Sequence, residues 1–351
     1  MITQLGRKVA DHFLKRLAYR FNRSFARPEL FYLKITENCN FQCKHCDIWK
    51  NKDTKDLNIA DWTKIISNLK TLRKDFDVTL SGGEPLLYRD FWQLIEVLQN
   101  NKVGINLNTN GSLITEEVAD RIIENNFKKV EISLYSLSAE LHNRLRNSDN
   151  AHQSAMQAIN YLQKKNNNTK IVVAFLLTHD NMDETIDFVK YFSSIGVWTT
   201  IQSLDSNIQP MNKRSGFDND SDSLGAFDND KIQSIFNELF QLKDQGYKIY
   251  NRIDNLEMIK NYYLCQNDQL KDIPCLAGHK NIIISTSGNL YFCFKGPVVG
   301  NIVEKSGKEL WQSQNAKKIR QQMKSCNKLC RIMNCNYDST FLTKIKEYVK
   351  Q

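Results

Sequence analysis

Three of the nine cysteines in this 351-residue chain crowd into one stretch, Thr36-Glu37-Asn38-Cys39-Asn40-Phe41-Gln42-Cys43-Lys44-His45-Cys46, at the spacing C-x3-C-x2-C. Thiolates are metal ligands, and three this close can grip three irons of a 4Fe-4S cube while the fourth iron keeps no protein ligand. That open iron can take a chelating small molecule. Further on stands Ser81-Gly82-Gly83-Glu84-Pro85, where glycines expose backbone beside a carboxylate. A zinc site or three buried thiols is the competing reading of the triplet. The Gly-Gly-Glu at the end of an expected strand favours the open cluster.

A second group lies near the C-terminus. Cys275, Gly288 and Cys293 form C-x12-G-x4-C, and Cys326, Cys330 and Cys335 follow as C-x3-C-x4-C. Ile282–Ser285 and Leu290–Phe294 flank Ser287-Gly288-Asn289 as a β-hairpin that brings Cys275 and Cys293 near each other. Structural zinc on these thiols is again the competing reading, and with zinc at both groups the chain would be a scaffold or binding protein. Cys265 reads as a free buried thiol.

The elements that must position these residues follow a regular plan. From Phe31 apolar strands alternate with amphipathic helices, the pattern of βα units and a parallel sheet, so the fold class is α/β. Strands are expected at Phe31–Ile35, Asp77–Leu80, Val103–Asn108, Val130–Leu134, Ile171–Leu177 and Val197–Ile201. Helices are expected at Asn58–Leu72, after Thr115, at Ala151–Lys164 and at Met182–Ser194, then at Lys231–Asp244, Asp254–Tyr263 and Lys308–Lys324. The motifs fall just after strand ends, where barrel folds collect their chemistry. Residues 207–230 break the rhythm with Pro210, Gly216, Gly225 and a duplicated Phe-Asp-Asn-Asp, and read as a linker or lid.

Composition narrows the class. An apolar fraction of 41% is that of an ordinary globular protein, no run is long enough to span a bilayer, and no secretory signal opens the chain. An odd number of clustered cysteines argues for metal in a reducing, cytoplasmic compartment rather than for disulfides. The net charge of +9 is concentrated at the start, where residues 1–29 carry Arg7, Lys8, Lys15, Arg16, Arg20, Arg23 and Arg27 against Asp11 and Glu29. Val9, Phe13, Leu17 and Phe21, with Leu14 and Ala18 beside them, make this a basic amphipathic helix. Such a helix either packs its apolar stripe on the domain or meets an anionic membrane surface or acidic partner. No nucleic-acid-binding motif accompanies the charge.

The Cys39/Cys43/Cys46 loop and the Gly-Gly-Glu resemble the two leading motifs of the radical S-adenosylmethionine (radical SAM) superfamily. The late cysteines resemble that superfamily's C-terminal auxiliary-cluster modules, called SPASM in the full form and twitch in the shortened one. The resemblance implies a partial (β/α)6 TIM-like barrel with a small cysteine-rich α+β module. It divides the chain into a basic N-terminal helix (1–30), the barrel (31–206), the linker or lid (207–230), a helical connection (231–265) and the auxiliary module (266–351). It implies that Cys39, Cys43 and Cys46 hold the 4Fe-4S cluster and that Gly82, Gly83 and Glu84 position the S-adenosylmethionine amine. Asn110 and Ser133 would face the cofactor, and Arg146 would pair with its carboxylate. One auxiliary 4Fe-4S cluster would take Cys275, Cys293 and two of Cys326, Cys330 and Cys335, because the chain departs from the C-x2-C-x5-C-x3-C of a full module. Ser133-Leu134-Tyr135 also departs from the Ser-Leu-Asp of many relatives.

By the same resemblance, an electron from a flavodoxin- or ferredoxin-type donor cleaves S-adenosylmethionine to methionine and a 5′-deoxyadenosyl radical, which abstracts hydrogen from an unactivated carbon. An auxiliary cluster that recovers the electron favours net oxidation, a dehydrogenation or cross-link in a peptide, protein side chain or natural-product precursor. A redox-neutral isomerisation, epimerisation or decarboxylation of a small molecule or sugar is the alternative. With only about 30 residues ahead of the barrel, a peptide substrate is expected to need a separate carrier or direct docking.

Overall fold

A computed structural model describes residues 2–51, 55–165, 168–204, 227–264, 273–326 and 330, with side chains described from residue 10 onward. Most of the expected lid, together with Cys265 and Cys335, lies outside the described residues.

Six parallel strands run side by side in chain order: β1 (Leu30–Thr36), β2 (Asp77–Gly82), β3 (Gly104–Thr109), β4 (Lys129–Ser133), β5 (Lys170–Leu177) and β6 (Trp198–Ser203). Their pleat sorts the residues. Leu33, Leu80, Leu107, Val130 and Ile171 are aligned across five strands and buried on one face. On the other face the next row is Tyr32, Thr79, Asn106, Lys129 and Lys170. The apolar row is covered by helices, among them α2 (Ile59–Lys70), α3 (Phe91–Asn100), α4 (Glu116–Glu124), α6 (Ala151–Lys165) and α7 (Thr185–Ser194), and α5 (Ala139–Arg146) precedes α6. The polar row faces the barrel interior, where Glu131 accepts from Lys129 Nζ at 2.6 Å and Gln202 Nε2 at 3.0 Å. The sheet does not close, since β1 and β6 are not neighbours.

Local chemistry sets the helix starts. Asn58 and Thr115 accept the backbone N–H of Asp61 and Val118, as their types predict, each contributing about 1 kcal/mol. The expected helix at Met182 begins as a 3-10 turn, Met182–Glu184, before α7. The second Phe-Asp-Asn-Asp, assigned from sequence to the linker, opens α8 (Asn229–Asp244) instead, because Asp228 caps it by accepting from Asp230 and Lys231. Phe227 is packed 4.8 Å from the Tyr263 ring at the end of α9 (Ile253–Tyr263).

The C-terminal hairpin joins the barrel's sheet. Strand β7 (Asn281–Ile284) pairs in parallel with β1, then β8 (Asn289–Tyr291) and β9 (Gly300–Asn301) add antiparallel, giving nine strands in the order β6-β5-β4-β3-β2-β1-β7-β8-β9. Gly288 turns the hairpin at φ +77°, and a Cβ there would stand 2.7 Å from Val303. The single helix expected at 308–324 is two, α10 (Gly307–Gln312) and α11 (Gln314–Lys324). Ser313 between them adopts an extended conformation, ψ 157°, and caps α11.

The N-terminal helix α1 (Ile2–Phe21) packs on this C-terminal part. Tyr19 contacts His279 edge to face at 6.1 Å, Lys324 Nζ donates to Arg20 O, and Trp311 Nε1 holds the carbonyls of Ser24 and Ala26 just past the helix. The buried side of α1 is not the apolar stripe read from sequence. His12, Lys15 and Ala18 face inward, whereas Phe13, Leu14, Leu17 and Phe21 are exposed. Lys15 is accommodated by an ion pair with Glu29 at 2.8 Å.

Candidate functional site

At the C-terminal end of the sheet, β1 runs directly into the loop that carries Cys39, Cys43 and Cys46. The end of β2 is fastened to the base of that loop, since Gly83 N donates to Thr36 O at 2.9 Å and Glu84 N to Asn38 O at 2.8 Å. No side chain fits in this contact. A Cβ on Gly82, which has φ +137°, would stand 2.0 Å from Thr36 O, and one on Gly83 would stand 2.1 Å from Asn38 O. The two glycines therefore let two backbones touch beneath the cysteines. Gly83→Ala should cost about 3 kcal/mol, the upper end for overpacking because the obstacle is backbone. Denaturant unfolding together with bound iron checks this, and both should fall.

Glu84 is wholly buried. Its carboxylate accepts from Thr109 Oγ1 and Asn110 N at 2.8 Å each and from Leu86 N at 3.2 Å, so it ties β2 to the end of β3. Burial pushes this carboxyl up from its ordinary pKa, and those three donors pull against the shift. Asn110, also buried, reaches the cysteine loop by donating to Asn40 Oδ1 at 2.9 Å, and Asn40 donates to Ser112 Oγ at 2.8 Å. Farther round, Lys44 N donates to Leu145 O, fixing the loop to α5.

The three thiols gather around Phe41: Cys43 is buried with Phe41 and Ala151, and Cys39 and Cys46 pack against them. Burial pushes the Cys39 thiol up to about 11 and raises Cys43 and Cys46 as well, so the ordinary form of each is protonated. Amide hydrogen bonds from Phe41 to Cys39 and from Ile48 to Cys46 favour the thiolates, as does the charge of Arg146. Among the described residues no group of three or more His, Cys, Asp or Glu side chains stands ready to hold a single metal ion.

Arg146 ends α5 and is buried beside these thiols. It donates to Tyr135 Oη at 2.8 Å, and its guanidinium lies 5.4 Å from the Phe41 ring centre and 5.1 Å from that of Tyr135. Its Nε has no hydrogen-bond partner, and among the described residues no carboxylate stands within ion-pair distance of it. Glu84 acts on it electrostatically from beyond ion-pair distance, and a buried cation lacking a close anion costs several kcal/mol. The pocket of raised thiols beside this cation thus suits an anionic group, and a thiolate-ligated iron–sulfur cluster with a carboxylate-bearing cofactor would meet that demand. The donor set fits the cofactor that the sequence motifs imply.

Tyr135, at which the Ser-Leu-Asp pattern is broken, is central to the site. Its hydroxyl contacts His45 Nε2 at 3.3 Å and is hydrogen-bonded to Ser133, while its amide donates to His142 Nδ1 at 3.0 Å. Asn181 holds its carbonyl at 2.7 Å. Burial lowers His45 to about 4 and His142 to about 2, so both rings are neutral near pH 7. Sequence reasoning passed over Asn40, His45, Tyr135 and Asn181. The only signal for any of them was the departure at Tyr135.

Of the second cysteine group, Cys293 is buried and Cys275, Cys326 and Cys330 are half-buried. Lys295 N donates to Cys293 Sγ at 3.3 Å. Arg320 of α11, buried between Phe292 and Trp311 at 4.7 and 4.4 Å, donates to Gly278 O at 2.7 Å. That bond pins the end of α11, and so Cys326, to the turn following Cys275.

Residues 33–192 match the Radical SAM superfamily and residues 275–336 match an iron-sulfur cluster-binding domain. The chain is similar to "Mycofactocin maturase MftC" of Mycolicibacterium smegmatis, at 29% identity over 190 residues, 54% of this chain and 48% of that protein. It is also similar to "AdoMet-dependent heme synthase" of Methanosarcina barkeri, at 23% identity and 82% of each chain. The chain thus spans about half the length of the mycofactocin maturases it matches. In fold it resembles Streptococcus suis SuiB bound to S-adenosylmethionine, with a TM-score of 0.62 at 15% identity, covering 86% of this chain and 66% of that one. It likewise resembles anSMEcpe with bound AdoMet and a peptide, with a TM-score of 0.63 at 19% identity and 88% of each chain. These matches replace the zinc-scaffold reading with iron–sulfur chemistry: residues 33–192 carry a radical SAM domain and residues 275–336 an iron-sulfur cluster-binding domain of the SPASM type.

Proposed function

We propose that this radical SAM enzyme oxidises a peptide or protein side chain. Cys39, Cys43 and Cys46 hold the cluster, and Arg146 balances the negative charge brought by the cluster and the cofactor carboxylate. Gly82 and Gly83 offer backbone to the cofactor amine, Glu84 and Asn110 fix that backbone from behind, and Ser133 with Tyr135 forms the wall beside Arg146. When bound, cluster and S-adenosylmethionine supply a 5′-deoxyadenosyl radical that takes hydrogen from an unactivated carbon. The chain's part is to orient these groups and exclude water, with a flavodoxin- or ferredoxin-type protein in the cytoplasm as electron donor.

The observation that carries the oxidative reading is that β1 pairs on one side with β2, which bears Gly-Gly-Glu, and on the other with β7 of the auxiliary module. Both cysteine groups are thus attached to one sheet. Cys275, Cys293 and two of Cys326, Cys330 and Cys335 would hold a single auxiliary cluster, which would supply an electron acceptor for net oxidation. A peptide substrate is supported by the neighbours, since SuiB is seen with precursor peptide SuiA and anSMEcpe with a peptide. Anaerobic turnover with short peptides encoded beside the gene, read by mass spectrometry, tests the proposal. Loss of two hydrogens per modified peptide is expected, and an unchanged mass with a rearranged product would make the reaction redox-neutral.

A further inference from the structure

Five of the ten large apolar side chains exposed among the described residues lie between Phe13 and Phe25: Phe13 at 52%, Leu14 at 42%, Leu17 at 45%, Phe21 at 60% and Phe25 at 49%. The first four fall on one face of α1. A helix packed on its own domain ordinarily buries that face, yet here the opposite face is anchored by Lys15 to Glu29, Asp11 to Arg73, and Asn22 to the carbonyl of Lys317. Among the described residues Leu14, Leu17 and Phe21 stay uncovered.

Charge says what does. Arg16 and Arg20 are exposed on the helix beside the stripe and Arg23 and Arg27 are exposed just past its end, while the acids Asp11 and Glu29 are engaged inward with Arg73 and Lys15. The outer surface of α1 is therefore leucine and phenylalanine bordered by guanidinium groups. We infer that it binds the surface of an anionic lipid bilayer, with the helix lying flat, its apolar side chains among the acyl chains and its arginines at the phosphates. A fluid apolar layer beneath phosphate groups matches apolar side chains bordered by arginine. No helix among the described residues is long and apolar enough to cross a membrane, so the contact is peripheral.

Co-sedimentation of the full-length protein with vesicles of equal phosphatidylglycerol and phosphatidylcholine, against vesicles of phosphatidylcholine alone, tests this. Binding is expected only to the anionic vesicles, and it should weaken as salt shortens the Debye length below about 8 Å. L17E/F21E should lower vesicle partitioning about tenfold or more by removing apolar insertion, and R16E/R20E should do the same by removing attraction to phosphate. Bound iron and S-adenosylmethionine cleavage should be unchanged in both, since these four side chains are exposed and the contact of Arg20 with Lys324 is made by its backbone carbonyl. Equal sedimentation of all three proteins, or equal binding to neutral vesicles, overturns the inference. A dimer that L17E/F21E dissolves, in a protein that ignores vesicles, also overturns it and assigns the stripe to a second copy.

Discussion

Alanine at Cys39, Cys43 or Cys46 will abolish reductive cleavage of S-adenosylmethionine and leave the C-terminal iron in place. On the proposed reading each of the three thiols is one of three protein anchors for the cluster, and among the described residues neither neighbouring candidate is free to replace one, because His45 is turned to Tyr135 and Glu84 is committed to Thr109, Asn110 and Leu86. The fold should survive, since the loop is held by backbone bonds from Gly83, Glu84 and Lys44 rather than by the thiols. Iron should fall by about half if two clusters of equal size are present. Unaltered 5′-deoxyadenosine formation in all three variants would refute the assignment.

Replacing Cys275 and Cys293 together with alanine will remove the auxiliary iron and stop product formation, while cofactor cleavage without substrate continues. Metal–thiolate bonds often supply the folding energy of small cysteine-rich modules, which then unfold without metal. This module is placed differently. Ile282, Ile284, Leu290 and Phe292 belong to the same buried core as β1, and β7 is hydrogen-bonded to β1. The hairpin should therefore stay paired in the variant, and the lost stability should be confined to the turn that follows Cys275. Hydrogen exchange resolved by segment measures this, with β7 protected and the turn at Ala277–His279 faster. A variant that keeps full iron and full product formation would show that these cysteines are not ligands.

Much of the architecture was legible because strands and helices write their periods into the chain. All six barrel strands lie within a residue or two of the expected ranges, and Asn58 and Thr115 cap the helices that their types announced. The spacing C-x3-C-x2-C and the Gly-Gly-Glu were enough to identify the superfamily, since thiolate ligands close in sequence and glycines at a strand end carry their chemistry locally.

Tertiary structure decided what depends on partners far along the chain. Nothing local to Gly83 reveals that a methyl group there would strike Asn38 O, or that Glu84 would be spent on fastening β3. Tyr135 and Arg146 meet over Phe41 only because α5 folds back across the end of β4. The apolar stripe of α1 was visible at once, but its direction was not. A hydrophobic pattern records which side chains share a face, whereas the side that turns inward is chosen by the surface it meets, here one offering Glu29, Arg73 and the carbonyl of Lys317 to polar groups.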